Sequence, residues 1–169
     1  MYLVVFKGLA GTGKSTLSRA LGRHLGWLVL DKDDIHDAIE ANANNASPLA
    51  YRILFRMAEA ALEQGFSVIC DCSLRGLEGL ENVKAVAQRT KAEPVIIECM
   101  TADERVWRSR FEARIDLSSR RLTDWQEYEL LIAGARADMT YEVDVPHLVV
   151  DTSRPLEMTL AQVLHFLER

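Results

Sequence analysis

The chain has 169 residues, 49% of them hydrophobic and 27% charged, which describes one folded domain with a core of its own and excludes a disordered or low-complexity chain. A net charge of −5 argues against recruitment of nucleic acid by the surface as a whole. Three cysteines are too few and too odd a number for a disulfide framework, and no run reaches the ~18 apolar residues that a membrane span needs.

The first strand candidate, "YLVVF" (2–6), runs straight into "GLAGTGKST" (8–16). Gly8, Gly13, Lys14 and Ser15 fit G-x-x-x-x-G-K-[ST], the phosphate-binding loop. Positions without side chains let backbone N–H groups curl round an anion, so Gly8, Ala10, Gly11, Thr12, Gly13, Lys14, Ser15 and Thr16 are candidate ligands of a nucleotide. Lys14 would reach the β- and γ-phosphates, and the Ser15 hydroxyl would ligate Mg²⁺. "STLSRALGRHLG" follows with leucines at 17, 21 and 25 on one helical face, so its positive N-terminus would point at the same anion. The apolar start is short and has no basic leader, which does not fit a signal peptide.

"WLVL" (27–30) is the second strand candidate, and "DKDDIHDAIE" follows it. Four carboxylates (Asp31, Asp33, Asp34, Asp37) are more than a helix N-terminus calls for. A phosphoryl-transfer enzyme needs one here to take a proton from the attacking hydroxyl, and others to support Mg²⁺. A residue just past the strand end can point into the crevice where phosphates lie; Asp31 sits earlier, and Asp34 is expected to point away along the helix. In "SPLAYRILFRMAEAALEQG", Ser47 is an N-cap candidate, Pro48 fits the first turn and Gly65 the stop. Tyr51 and Phe55, with Arg52 and Arg56 near by, are placed to line an apolar pocket or to pack the core.

The third strand candidate, "SVICD" (67–71), ends on Asp71, which is placed to face Mg²⁺ or its water shell. Arg75 and two glycines follow in a loop where an acceptor could lie. "PVIIEC" (94–99) precedes "TADE" (101–104), which has the form of a capping box, as does "TDWQ" (123–126). Between them fall Arg105, Arg108, Arg110, Arg114, Arg120 and Arg121. At about 100° per residue, Arg110 and Arg114 fall on the side of Val106, Trp107 and Phe111, whereas Arg105 and Arg108 face away. An inward arginine is costly without an anionic partner, which ATP would supply. The last strand candidate, "HLVVD" (147–151), leads into "DTSRPLE", where Ser153 is an N-cap candidate. Cys70, Cys72 and Cys99 lie in the apolar runs, as buried, reduced thiols of a cytoplasmic protein would.

With the phosphate loop and "LDKDD" after strand two, the chain resembles the small P-loop kinases that phosphorylate hydroxyl groups. Gluconate kinases have a similar "LD-x-D-x-x-H" stretch and polynucleotide 5′-kinases a similar "RDD". "GFSVICDCSLRG" and "YEVDVPHLVVDTSRPLE" resemble chloramphenicol phosphotransferase. The resemblance implies that Asp33 is the catalytic carboxylate, with His36 near the acceptor. It implies that "ANANNASPLAYRILFR" builds the acceptor site and that "DTSRPLE" passes near adenine, with Ser153 and Arg154 binding the nucleotide. It also implies an arginine-bearing lid at about 110–124, Arg110 and Arg114 acting on the transferring phosphate. Where the 5′-kinases have an arginine two residues after "DD", this chain has His36.

Nearly continuous apolar strands alternating with helices make an α/β fold: a three-layer P-loop NTPase-type domain over 1–169, its five-stranded parallel sheet covered by helices on both faces. Ligands of such sheets sit at the carboxyl ends of the strands. The expected function is transfer of the γ-phosphate of ATP, with Mg²⁺, to a hydroxyl of a small molecule: an antibiotic, a sugar acid or a nucleoside. The alternatives are a nucleoside or polynucleotide 5′-hydroxyl kinase, or a nucleotide-dependent ATPase or switch that makes no phosphorylated product.

Overall fold

Every expected strand forms. In the computed structural model, which describes residues 1–115 (backbone only at 114 and 115), 125 and 138–168, β1 (Tyr2–Lys7), β2 (Leu28–Asp31), β3 (Val68–Asp71), β4 (Glu93–Met100) and β5 (His147–Asp151) make one sheet in the order β2-β3-β1-β4-β5. All its pairs are parallel, with Leu3 opposite Val68, Asp31 opposite Asp71 and Met100 opposite Asp151. The carboxyl ends therefore share one edge, and three of the five end in an aspartate.

The helices are α1 (Lys14–Leu25), α2 (Lys32–Ile39), α3 (Ala46–Glu63), α4 (Gly76–Thr90), α5 (Glu104–Ile115) and α6 (Leu156–Leu167), with a 3₁₀ turn at Glu40–Asn42. Side chains alternate across a strand, and β1 divides accordingly. Leu3 and Val5 pack with Leu54, Leu62 and Leu80 of α3 and α4, while Val4 and Phe6 pack with Leu17, Leu21 and Val163 of α1 and α6. A third cluster, Trp107, Phe111 and Trp125, seats α5 on Leu9 and Ala10 of the phosphate loop.

Three helix starts differ from expectation. The α3 helix begins at Ala46 after Asn45, whose φ of 65° is left-handed, a region that asparagine tolerates; Ser47 lies inside the helix. The α5 helix is capped by Asp103, which accepts from the amides of Arg105 and Val106, while the Thr101 hydroxyl pairs with that of Thr152 at 3.1 Å. Ser153 does not cap α6: its hydroxyl donates to Asp151 Oδ1 at 2.7 Å, and Pro155 precedes the helix. "TDWQ" as a motif, Arg120, Arg121, most of the expected lid and the side chain of Arg114 lie outside the described residues.

Candidate active site

The phosphate loop leaves β1 through Gly8, where φ is 145° and a Cβ would stand 2.5 Å from the Cys99 carbonyl oxygen. Only glycine fits there. Gly13 ends the loop in a left-handed conformation (φ 79°) as the N-cap of α1, which has neither a side-chain cap nor an acid in its first turn. The positive end of α1 thus opens uncapped at the strand ends, as an anion site requires. Thr12 Oγ1 and Lys14 Nζ both donate to the Leu9 carbonyl, at 2.7 and 2.8 Å, and Trp107 Nε1 donates to that of Ala10 at 2.8 Å. These bonds fix the loop's shape from within and from α5.

A cavity of about 550 Å³ opens over this loop. Ala10, Gly11, Gly13, Lys14, Ser15 and Thr16 line it, and so do Asp33, Asp71, Arg110 and Arg154. Among the described residues its cations are Lys14, Lys32, Arg75, Arg110 and Arg154, and its carboxylates are Asp33 and Asp71. Within a protein of net charge −5, that local excess suits a polyanion. Gly8, Thr12 and Ser153 stand off the cavity wall, the first two shaping the loop. His36 also stands off it, with Nδ1 3.4 Å from an Asp37 oxygen.

Three aspartates near β2 have three different surroundings. Asp31 accepts from the Asp33 amide at 2.9 Å, capping α2, and pairs with Arg19 at 3.1 Å. Burial and then the neighbouring charge of Asp71 push its carboxyl above the usual range. Asp33 lines the cavity with its carboxylate 2.9 Å from Lys32 Nζ. Asp34 points outward as expected, 76% exposed and 3.8 Å from Arg19. Asp71 is buried and accepts from Ser18 Oγ at 3.0 Å. Asp31 and Asp71 stand opposite each other on adjacent strand ends, and Asp71 lines the cavity with Ser15; their oxygens are hard donors of the kind a divalent cation takes.

Arg110 faces inward and Arg105 and Arg108 outward, as the helical angles require. Its partner, however, is neutral: Arg110 donates to the Thr152 hydroxyl at 3.1 Å and to its carbonyl at 2.7 Å. The buried Thr152 hydroxyl is also within 2.8 Å of the Thr12 carbonyl and 3.0 Å of that of Met100, so one side chain ties α5, β4 and the phosphate loop. Thr152 and Lys32 are the residues that reading the sequence missed. Lys32 was masked by the acids around it, and Thr152 by its neighbour Ser153.

A second cavity, of about 850 Å³, opens between α3 and α4. Tyr51 and Phe55 line it as a stacked pair with centroids 6.5 Å apart, and the same stripe packs the core, Phe55 within it and Tyr51 against it.

Among solved structures, a candidate kinase from Chloroflexus aurantiacus superposes with a TM-score of 0.78 at 22% identity, covering 98% of this chain and 97% of that one. A gluconokinase from Sinorhizobium meliloti gives 0.69 at 15%, covering 99% and 92%. The Mycobacterium tuberculosis APS kinase CysC, in complex with AMPPNP and APS, gives 0.65 at 21%, covering 99% and 98%. No curated protein matches the chain. The family model described as AAA domain matches residues 3–129, three quarters of the sequence and all of the nucleotide-loop half. The chain therefore belongs to the AAA domain family AAA_33 and carries the fold of the small P-loop kinases.

Proposed function

We propose that the protein is an ATP- and Mg²⁺-dependent kinase whose acceptor is a hydroxyl group of a small organic molecule. One observation carries this reading: the uncapped start of α1 and Lys14 share a cavity with a carboxylate at Asp33 and an inward arginine at Arg110. The loop amides and Lys14 would bind the β- and γ-phosphates. Asp33, held by Lys32, would accept the proton of the attacking hydroxyl as its oxygen bonds to the γ-phosphorus and the bond to the β-phosphate oxygen breaks, releasing ADP. Arg110, and Arg114 four residues on, would neutralise charge on the transferring group. Ser15 and Asp71, with Asp31 adjacent, would hold Mg²⁺, which screens the phosphate charges when bound. Arg154 on the cavity wall is placed for the nucleotide; Ser153, bonded to Asp151, serves the turn. The buried free thiols of Cys70, Cys72 and Cys99 support a reducing, cytoplasmic setting. Among the described residues no helix is long and apolar enough to cross a membrane.

The test is incubation with ATP, Mg²⁺ and a diverse panel of hydroxyl compounds, with mass spectrometry for added phosphate and Lys14→Ala as the control. A phosphorylated compound that Lys14→Ala no longer makes supports the reading. ATP loss without any phosphorylated product would replace it by a nucleotide-dependent switch.

A further inference from the structure

Segment 141–146, which leads into β5, is strapped along the α3–α4 face of the sheet. Tyr141, Val143 and Val145 pack in turn against the core cluster of that face. Asp144 pairs with Lys84 of α4 at 2.6 Å, and the Pro146 carbonyl accepts from the Ile96 amide at 2.9 Å. The Tyr141 ring has a charged seat: its centre lies 4.9 Å from Nζ of Lys7, a buried cation that Glu98 meets at 2.7 Å. His147 Nε2 stands 3.0 Å from the same Glu98 oxygen. From this seat the Tyr141 hydroxyl donates to the Leu74 carbonyl at 2.6 Å. Burial, and then the charge of Glu98, push its pKa up, so the phenol stays protonated and a donor through the neutral range.

Leu74 is the strained residue of the β3–α4 loop. It is fully buried with φ at 44°, a left-handed backbone that a bulky side chain keeps only where its surroundings impose it. The loop is pinned at each residue from Cys72 to Leu74. Cys72 Sγ donates to the Phe6 carbonyl at 3.7 Å, and the Ser73 carbonyl accepts from the Gly8 amide at 3.3 Å. The Ser73 and Tyr51 hydroxyls meet at 2.8 Å, and Tyr141 holds Leu74. Cys72, Ser73 and Arg75 line the nucleotide cavity, whereas Tyr141 stands off its wall.

We infer that Tyr141 is a positioning residue of the phosphoryl-transfer site: its bond to the Leu74 carbonyl holds the left-handed turn that sets Arg75 on the cavity wall. The inference rests on the kinase reading above for the reaction it serves. Arg75 follows Leu74 directly, so a peptide relaxing out of the left-handed region redirects it. The phosphate loop has bonds of its own, from Lys14 to Leu9, from Trp107 to Ala10 and from Thr152 to Thr12, and these do not pass through Tyr141.

The experiment is a double-mutant cycle. Tyr141→Phe keeps the ring over Lys7 and deletes the hydroxyl. ADP formation from ATP and Mg²⁺ is followed in the presence of the hydroxyl-compound panel, with mass spectrometry for added phosphate, well below the Tm of each variant. Tyr141→Phe should lower kcat by about ten- to hundredfold, as a displaced group does, and leave the KM for ATP within about twofold. In an Arg75→Gln background the same change should cost less than about twofold more, because the group it places is gone. Val143→Ala, in the same strap and on the same core, should lower Tm without lowering kcat. An unchanged kcat in Tyr141→Phe, a loss that multiplies with that of Arg75→Gln, or an equal loss in Val143→Ala would overturn the inference and leave the kinase reading intact. ADP formed without any phosphorylated compound, with the cycle still non-additive, would uphold the role of Tyr141 and remove the kinase reading instead.

Discussion

Arg110 on α5 reaches 42 positions along the chain to grip Thr152, its two terminal nitrogens meeting the hydroxyl at 3.1 Å and the carbonyl at 2.7 Å. The guanidinium is thereby held over the phosphate loop, where Gly13 would bring a Cβ within 3.5 Å of it. Arg110→Ala should cost on the order of 10³-fold in turnover if it neutralises the transition state. Thr152→Val keeps the carbonyl but removes the hydroxyl, and should cost about tenfold, in line with one lost hydrogen bond to a charged group. Arg105→Ala and Arg108→Ala, on the solvent face, should stay near wild type. Equal losses at 105, 108 and 110 in side-by-side assays would refute the division of the helix.

Lys32 is the second dependency. Its ammonium spans the Asp33 carboxylate and the face of Tyr51, so it sets where the carboxylate points. Lys32→Gln should lower kcat, by as much as about 10²-fold for a displaced catalytic group, with little change in the KM for ATP. A variant that binds ATP poorly but turns over normally would make Lys32 a nucleotide ligand instead.

Much of this arrangement was legible in the sequence, for identifiable reasons. The strands announced themselves as continuous apolar runs: β1 and β3 are buried on both faces, and the edge strands β2 and β5 stay apolar although Leu28 and Val149 are exposed. The phosphate loop did so because left-handed backbone at Gly11 and Gly13 leaves glycine as the ready choice. Arg110 could be assigned an inward face from helical angles alone. Its partner could not, since Thr152 comes into reach only through the β4–β5 pairing. Helix starts were the least legible feature: Ser47, Thr101 and Ser153 all had capping chemistry, but the chain enters the helices at Asn45, Asp103 and Pro155, and of these three only Asp103 makes a side-chain cap.

Packing of α1 on β2 turns on Gly22. A Cβ there would collide with a Val29 methyl and stand 3.2 Å from the Trp27 carbonyl oxygen. Alanine would gain about 1 kcal/mol of helix propensity against an overpacking cost of typically 1–3 kcal/mol, and the backbone carbonyl cannot retreat cheaply. Gly22→Ala should therefore lower Tm, by about 2–4 °C for each kcal/mol of net loss in a domain of this size. A raised Tm in a thermal melt would show that β2 yields.

Glu59 gives a pH dependence. Hydrogen bonds from Arg89 and Arg56 hold its carboxyl below the usual range, so its folded pKa is lower than its unfolded one. Such a group contributes stability above the unfolded value, about 4.3, and loses it as pH falls through the folded value. Glu59→Gln should melt below wild type at pH 7, with the gap closing in acid below about pH 4. A gap that stays constant from neutral to acid would assign the loss to packing rather than charge.

The choice among carboxylates after β2 is the sharpest test of the chemistry. Asp33 lies on the cavity wall, whereas Asp31 is spent on the α2 cap and on facing Asp71, and Asp34 is turned to solvent. Asparagine keeps the shape of each and removes the charge. Asp33→Asn should still bind ATP and lose acceptor turnover by about 10²- to 10⁴-fold, the span of a general acid–base group. Asp34→Asn should be silent. Asp31→Asn should leave a weaker cap and a cation site short of one carboxylate, seen as a higher Mg²⁺ requirement rather than as a lost base. Turnover and ATP affinity measured against Mg²⁺ concentration separate the three. If Asp31→Asn or Asp34→Asn abolishes turnover at saturating Mg²⁺ while Asp33→Asn keeps it, the base is misassigned. If all three keep it, no carboxylate here takes the proton, and a nucleotide switch describes the site better than a kinase.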